Sequence, residues 1–201
     1  MRQALIIFIR NPVLGEVKTR LSKSIGDHKT LEVYNLLLQH TEAITYGLSC
    51  DKFLYYSGDP NPHDSWDNKR YVKKKQHPGS LGEKMFHAFQ DSFDKGYKQV
   101  IIIGSDCLEL DEEQINNAFQ SLQEEQIVIG PATDGGYYLL GMNSLHPALF
   151  VNKQWSSDTV YEDTLADIKA AGLTVTILRE LNDIDEEADL PPSLVQQLKG
   201  I

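Results

Sequence analysis

The stretch ALIIFIRNPVLGEVKTRL, residues 4–21, joins an apolar run to a loop rich in positive charge. Residues 4–9 form an apolar run that is too continuous for a strand with one face in water. They therefore predict a strand buried on both faces, as in a parallel sheet covered by helices. In open sheets of this kind, ligands bind where loops leave the carboxyl ends of the strands. The basic loop that follows this strand is thus the first place to look for a binding site.

Further apolar runs alternate along the chain with segments of helical periodicity. The predicted strands are 5–9, 53–56, 100–103, 127–129, 137–140 and 173–177. The predicted helices lie around 31–44, 81–93 and 115–122. This alternation predicts a single α/β domain over residues 1–201, with a three-layer α/β/α architecture and a mostly parallel sheet. The runs 127–129 and 137–140 are joined by a short loop and predict an antiparallel element, which makes the sheet mixed.

Composition and charge restrict the class of protein. The chain has 201 residues, of which 41% are hydrophobic and 24% charged, as in ordinary globular domains. Its formal net charge of −10 argues against a nucleic-acid partner, which needs a basic face. The two cysteines, Cys50 and Cys107, lack the spacing of a disulfide framework or a zinc site. The apolar run at 4–9 is too short for a membrane span or a signal-peptide core, so we expect a cytoplasmic protein.

Three positive side chains in the first loop, Arg10, Lys18 and Arg20, can converge on one phosphate group. Gly15 permits a tight turn between them, and Thr19 offers a hydroxyl. The loop contains neither G-x-G-x-x-G nor G-x-x-x-x-G-K-[ST], the fingerprints of dinucleotide-binding and P-loop proteins. These residues predict a site for a nucleotide diphosphate. The alternative is a solvated basic loop before a helix.

Two acidic positions are candidates for a divalent metal site holding Mg²⁺ or Mn²⁺. Asp106 follows the buried run 100–103, and a carboxylate at a strand end suits a hard cation that bridges to phosphate. Late in the chain, Asp183 and Asp185 alternate along a backbone expected to be extended, so we expect them to point to opposite sides and at most one of them to share a metal with Asp106. We favour Asp185. The alternatives are an Asx turn at Asp106 and a solvated acidic loop at 182–190.

The segment from Asp134 to Tyr137 has the composition of a substrate wall. Gly135 and Gly136 would let a ligand approach the backbone closely, and Tyr137 can line a sugar or base pocket. Asp134 can act as a general base or accept a hydrogen bond from a sugar hydroxyl. The alternative is a hairpin turn, for which Asp-Gly is a strong signal, and both descriptions can hold together.

Two isolated residues are weaker candidates. Gln76 lies in a loop that enters an amphipathic helix, and its amide can contact a nucleotide. Trp155 can form a platform for an acceptor, although a buried tryptophan of the core fits the sequence equally well.

The order of these motifs resembles a known family. The motifs are F-x-R-x-P-x-x-G-x-V-K-T-R-L at 8–21, Q-x-x-G-x-L-G-x-x-M at 76–85, G-S-D-C at 104–107, G-P-A-x-D-G-G-Y-Y-L-L-G at 130–141 and D-x-D-x-x-x-D-L at 183–190. They resemble the bacterial DUF2064 proteins, also known as arsenosugar-biosynthesis-type or radical-SAM/selenodomain-associated glycosyltransferases. These proteins belong to the GT-A nucleotide-diphospho-sugar transferase superfamily, and the resemblance covers almost the whole chain.

The resemblance implies a GT-A-like fold whose first loop holds nucleotide phosphates. It also implies that Asp106 is the strand-end metal aspartate and that Asp185 is the late aspartate that completes the metal site. Leu108 stands where a proline is usual, and Lys84 stands where the helix usually carries arginine. The second departure weakens any bidentate phosphate contact at that position.

We therefore expect metal-dependent transfer of a glycosyl group from a nucleotide-diphospho-sugar to a small acceptor, with Asp106 and Asp134 as the catalytic residues. One alternative is a nucleotidyltransferase, which joins a nucleoside triphosphate to a phosphorylated small molecule and releases pyrophosphate. Another is a nucleotide-binding module without catalysis, since a fold alone never establishes an activity.

Overall fold

The computed structural model of the chain describes residues 1–155 and 157–199. Within these residues the strands form one sheet whose order is β3-β2-β1-β4-β6-β5-β7. The strands are β1 (Gln3–Ile9), β2 (Asp51–Tyr56), β3 (Tyr71–Lys75), β4 (Gln99–Ile103), β5 (Ile127–Pro131), β6 (Tyr137–Met142) and β7 (Val175–Ile177). All pairings are parallel except those of β6, which runs antiparallel to β4 and β5. The predicted mixed, mostly parallel sheet is confirmed.

Helices cover both faces of the sheet. They are α1 (Thr19–Ile25), α2 (Asp27–Tyr46), α3 (Leu81–Asp94), α4 (Glu112–Ser121), α5 (Val160–Ala170) and α6 (Pro192–Lys199). Short 3-10 helices occupy Pro147–Phe150 and Glu187–Asp189. No helix among the described residues has both the length and the apolar character that a bilayer crossing requires.

Alternate residues of β1 contribute to two separate apolar cores. Leu5 and Ile7 pack in the core that contains residues of α2, α4 and α6, whereas Ala4 and Ile6 pack in the core that contains residues of α3 and α5. All four side chains are fully buried. The continuous apolar run in β1 thus reflects burial on both faces of a central strand, as the three-layer prediction requires.

Strand β3, whose residues are mainly lysine, is not among the strands predicted from the sequence. This strand lies at an edge of the sheet and pairs only with β2 among the described residues. Its lysines form ion pairs with nearby aspartates: Lys73 with Asp64, Lys74 with Asp91 and Lys75 with Asp59. Charged side chains are common on edge strands because they discourage pairing with another chain, and they remove the apolar signal on which the prediction depends.

The direction of the strands brings six loops to one edge of the sheet. The parallel strands β1, β2, β3, β4 and β7 end there, and the reversal of β6 places the tip of the β5–β6 hairpin at the same edge. The segment after β7 then crosses this edge, because the Leu181 amide donates to the Pro131 carbonyl and the Ile184 amide donates to the Asp106 carbonyl at 3.0 Å. The late acidic segment is therefore fixed beside the end of β4.

Gly141 in β6 packs without space for a side chain. A Cβ atom at this position would lie 2.6 Å from Val128 Cγ1 and 2.9 Å from Ile101 Cγ1, on the neighbouring strands. It would also lie 3.2 Å from Leu122 Cδ1, at the end of α4. The glycine thus allows α4 to pack closely on the sheet.

We expect Gly141→Ala to lower the free energy of unfolding by about 1–3 kcal/mol, because the added methyl group overpacks a buried layer. Chemical denaturation monitored by circular dichroism measures this change. Gly47→Ala is the matched control, since Gly47 is exposed with φ −77° and the nearest atom to its Cβ would be Glu112 Oε1 at 3.4 Å. Equal stability of the two variants would contradict the proposed close packing.

Candidate active site

A cleft of about 790 Å³ lies at the carboxyl edge of the sheet, within the size range of small-molecule sites. Most of the residues singled out in the sequence line it. They are Arg10, Lys18, Thr19, Arg20, Gln76, Asp106, Asp134, Gly136, Tyr137, Trp155 and Asp185. The sheet topology thus brings together residues from widely separated motifs in one cleft.

The ammonium of Lys18 lies between two carboxylates. Its Nζ atom is 2.8 Å from Asp106 Oδ2 and 2.8 Å from Asp185 Oδ1, and both contacts are hydrogen-bonded ion pairs. Only 8% of the Lys18 side chain is exposed, compared with 37% for Asp106 and 41% for Asp185. The two aspartates chosen as metal ligands are therefore adjacent, and Lys18 holds them together.

This cluster changes the proton affinity of its members. Burial alone would lower the pKa of Lys18, but the charges of Asp106 and Asp185 raise it above its ordinary value. Burial would likewise raise the pKa of Asp106, but the charge and hydrogen bond of Lys18 hold it below the usual range. Both groups are therefore charged at neutral pH.

The two arginines of the first loop are more exposed than Lys18. Arg20 Nη1 lies 3.6 Å from Asp185 Oδ2, and 64% of its side chain is exposed. Arg10 borders the cleft directly after β1 and is exposed. These two side chains are accessible to an anion in the cleft, whereas the ammonium of Lys18 is already engaged by carboxylates. The phosphate-binding role of the three residues stays a prediction.

The turn residues of the first loop have local roles. Gly15 has φ +78°, a conformation that disfavours other residues, and it lies outside the lining of the cleft. Thr19 is the first residue of α1 and borders the cleft. The predicted tight turn at Gly15 is thus confirmed.

Tyr34 of α2 fixes the backbone of the first loop and was missed by the sequence analysis. The Arg10 amide donates to the Tyr34 hydroxyl at 2.9 Å, and this hydroxyl donates to the Arg10 carbonyl at 3.1 Å. Tyr34 is 4% exposed, lines the cleft and belongs to the apolar stripe of its helix. In the sequence it is indistinguishable from a core residue, because its polar contact involves only backbone atoms.

Asp183 also lines the cleft, so the expectation that Asp183 and Asp185 point to opposite sides is wrong. Residues i and i+2 of an extended chain project to the same side, and Ile184, which lies between the two aspartates in the sequence, has a buried side chain. Burial, together with the charges of Asp106 and Asp134, raises the pKa of Asp183 to about 8. Its Oδ1 atom is buried and has no hydrogen-bond partner among the described residues.

The β5–β6 hairpin forms another wall of the cleft. Gly135 in this hairpin has a packing role, whereas the sequence predicted that it lets a ligand approach the backbone. Asp134 Oδ1 accepts a hydrogen bond from the Gly136 amide at 2.8 Å, which confirms a turn at the exposed tip. Gly135 has φ +85°, and a Cβ atom there would lie 2.0 Å from the Asp158 carbonyl oxygen. Gly135 is therefore required for packing against the segment before α5 and does not line the cleft.

Aromatic side chains continue this wall. Tyr137 Oη lies 3.9 Å from Met85 Sδ, and the half-buried ring of Trp155 packs on Gly82 of α3, where a Cβ atom would be 2.4 Å from the ring. Gln76 borders the cleft, and its side-chain amide donates to the Tyr55 carbonyl at 3.2 Å. Trp155 thus serves partly in packing and partly as a surface of the cleft.

The donor atoms at the charged end suit a hard divalent cation. Asp106 and Asp185 each direct one oxygen to the Lys18 ammonium. The buried Oδ1 atom of Asp183 has no hydrogen-bond partner within the described part of the chain. Within residues 1–155 and 157–199, no three or more His, Cys, Asp or Glu side chains form a complete metal-binding group. One or two carboxylates with substrate phosphates are, however, a common arrangement for Mg²⁺. The residues therefore fit a metal shared with a phosphate ligand.

Comparison with known protein families gives a match to DUF2064, described as an uncharacterized protein conserved in bacteria, over residues 41–157. The match spans more than half of the chain. The chain belongs to the DUF2064 family. No curated protein sequence matches it.

Solved structures share the fold of this DUF2064 protein. A Desulfovibrio desulfuricans G20 protein, proposed to be a nucleotide-diphospho-sugar transferase, is 29% identical with a TM-score of 0.87, over 100% of this chain and 96% of that one. The inositol-1-phosphate CTP transferase from T. maritima is 14% identical with a TM-score of 0.60, over 99% and 95%. The 4-diphosphocytidyl-2C-methyl-D-erythritol synthase of Anaerococcus prevotii is 10% identical with a TM-score of 0.57, over 99% and 95%. The fold is that of nucleotide-diphospho-sugar transferases and nucleotidyltransferases.

We expect Tyr34→Phe to loosen the first loop, because the Arg10 amide and carbonyl both lose their partner. Each of these partly buried hydrogen bonds contributes about 0.5–1.5 kcal/mol, and their loss should appear as a lower free energy of unfolding. Hydrogen exchange of the Arg10 amide should accelerate in the variant. Tyr46→Phe at the exposed end of α2 is the control, and an unchanged exchange rate of Arg10 in Tyr34→Phe would refute the role of the hydroxyl.

Proposed function

We propose that the protein transfers a glycosyl group from a nucleotide-diphospho-sugar to a small acceptor in this cleft, with the help of a divalent metal. The observation that carries the proposal is that one cleft has a charged end and an aromatic end. The first holds Arg10, Lys18 and Arg20 together with acidic side chains, and the second presents Tyr137 and Trp155. A nucleotide-sugar has the matching division into a diphosphate and a hydroxyl-rich ring.

At the charged end, the exposed guanidinium groups of Arg10 and Arg20 can bind the diphosphate, and Lys18 can join them. Negative charge develops on the diphosphate as its bond to the anomeric carbon breaks, and fixed cations stabilise that charge. Asp106 and Asp185 would hold the metal, which would supply further positive charge beside the leaving group. These residues account for binding and departure of the nucleotide.

We assign Asp134 the role of proton acceptor. Its carboxylate lies at the exposed tip of the hairpin, where one oxygen accepts a hydrogen bond from the Gly136 amide. An acceptor hydroxyl would transfer its proton to Asp134 while its oxygen forms the new bond to the anomeric carbon. The rings of Tyr137 and Trp155 provide apolar surfaces on which a sugar ring can lie.

A nucleotidyltransferase is the second candidate. The same three cations would bind a triphosphate, and solved nucleotidyltransferases share this fold. In that reaction the acceptor phosphate attacks the α-phosphorus atom, and pyrophosphate leaves. The two candidates therefore differ in the phosphate species that they release.

The released product is the test of the proposed function. The protein would be incubated with Mg²⁺ or Mn²⁺ and a panel of nucleotide-sugars, and separately with nucleoside triphosphates and sugar phosphates. We expect nucleoside diphosphate from the first set, at least slowly with water as the acceptor. Pyrophosphate from the second set without diphosphate from the first would establish the nucleotidyltransferase instead. If neither nucleoside diphosphate nor pyrophosphate is released, both assignments are overturned.

We expect Asp106→Asn to lower metal-dependent nucleotide affinity by about tenfold or more, because the substitution removes one charge from the metal site and retains its shape. Isothermal titration with a nucleoside diphosphate, with and without Mg²⁺, measures the difference. Asp111→Asn is the matched control: Asp111 is the exposed N-cap residue of α4, and asparagine caps a helix equally well. If Asp106→Asn binds metal and nucleotide normally, Asp106 serves only in the turn after β4 and does not bind the metal.

A further inference from the structure

The oxygens that a metal would need are already occupied. Lys18 Nζ donates hydrogen bonds to Asp106 Oδ2 and Asp185 Oδ1, both at 2.8 Å. The second oxygen of Asp185 lies 3.6 Å from Arg20 Nη1. The second oxygen of Asp106 is directed to its own loop, where a Cβ atom on Gly104 would lie 2.7 Å from it. The two oxygens that face each other across the cluster are therefore both bound by Lys18.

The backbone of Lys18 holds the side chain in this position. Lys18 is the N-cap residue of α1 and has φ 45° and ψ 52°, a left-handed conformation that few non-glycine residues adopt. The Lys18 side chain is 8% exposed, so the ammonium stays beside the two carboxylates and repels a second cation at coordination distance. The lysine therefore occupies the position that the metal would take.

Charge balance explains how the position could become free. The carboxylates of Asp106 and Asp185 are matched by the cations of Lys18 and Arg20, so a divalent ion alone would add two uncompensated positive charges. A diphosphate brings its own negative charges to the same cleft. It can draw Lys18 and Arg20 to its oxygens and leave the carboxylates available to the metal.

We propose that Lys18 excludes a divalent cation from Asp106 and Asp185 until a diphosphate ligand draws its ammonium away. Metal binding and nucleotide binding are then coupled through one side chain, and each strengthens the other. The proposal rests on the proposed function only in taking a nucleoside diphosphate as the natural source of that diphosphate. Lys18 would then control when the metal can bind, in addition to contacting the phosphate groups.

The experiment measures Mn²⁺ affinity in the absence of any nucleotide, from the electron paramagnetic resonance signal of free Mn²⁺. We expect Lys18→Met to bind Mn²⁺ about tenfold more tightly than the unmodified protein, because the competing cation is gone. Lys23→Met is the matched control: it removes the same charge from an exposed position of α1 and should change the affinity by no more than about twofold, as a distant, screened charge does. Lys18→Arg, which retains the charge, should bind Mn²⁺ as weakly as the unmodified protein.

Thermal unfolding of each variant shows whether it is folded, and Lys18→Gln, which keeps a hydrogen-bond donor, replaces Lys18→Met if the latter does not fold. Mn²⁺ affinity in the folded Lys18 variant that equals or falls below that of the unmodified protein overturns the proposal, since Lys18 would then organise the carboxylates rather than block them. The measurement contains no sugar donor and no transfer step. Its failure is therefore distinguishable from failure of the product assay.

Discussion

The buried ammonium of Lys18 is the point on which the arrangement of the cleft depends. Its two partners are 88 and 167 residues away in the sequence, and they follow different strands of the sheet. A buried charge without a partner is strongly destabilising, so burial of Lys18 requires Asp106 and Asp185 to stay beside it. The first loop, the end of β4 and the segment after β7 are thereby fixed to one another by charge, in addition to backbone hydrogen bonds and apolar packing.

The two ends of the cleft depend on different parts of the fold. Parallel strands deliver the charged loops to the carboxyl edge, as they do in other open α/β sheets. The aromatic end depends on β6, because only a reversed strand can begin at that edge with Tyr137 and continue into the sheet. A single antiparallel strand within the described sheet thus adds an aromatic surface to a cleft whose other loops carry charged side chains.

The sequence predicts what local pattern determines and misses what depends on the path of the chain. Continuous apolar runs identify the buried strands, and the basic loop and Asp106 follow such runs directly. Strand β3 is hidden because an edge strand of lysines carries no apolar signal. The i, i+2 spacing of Asp183 and Asp185 already places them on one side of an extended segment, but the contact that brings this segment to the cleft, from the Ile184 amide to the Asp106 carbonyl, joins residues 78 positions apart and leaves no local pattern. Likewise, the engagement of Lys18 by carboxylates follows from tertiary contacts alone.

The attachment of the hairpin tip has a consequence for how homologous proteins can diverge. The Tyr161 amide donates to the Gly135 carbonyl at 2.9 Å, and Gly135 packs against the backbone of Asp158. The tip therefore takes its position from the first turn of α5 and from the segment directly before it, both of which lie outside the sheet. Insertions or substitutions in that segment can reshape the aromatic end while the ion cluster stays intact. Evolution can in this way alter which molecules enter one side of the cleft without rebuilding the other.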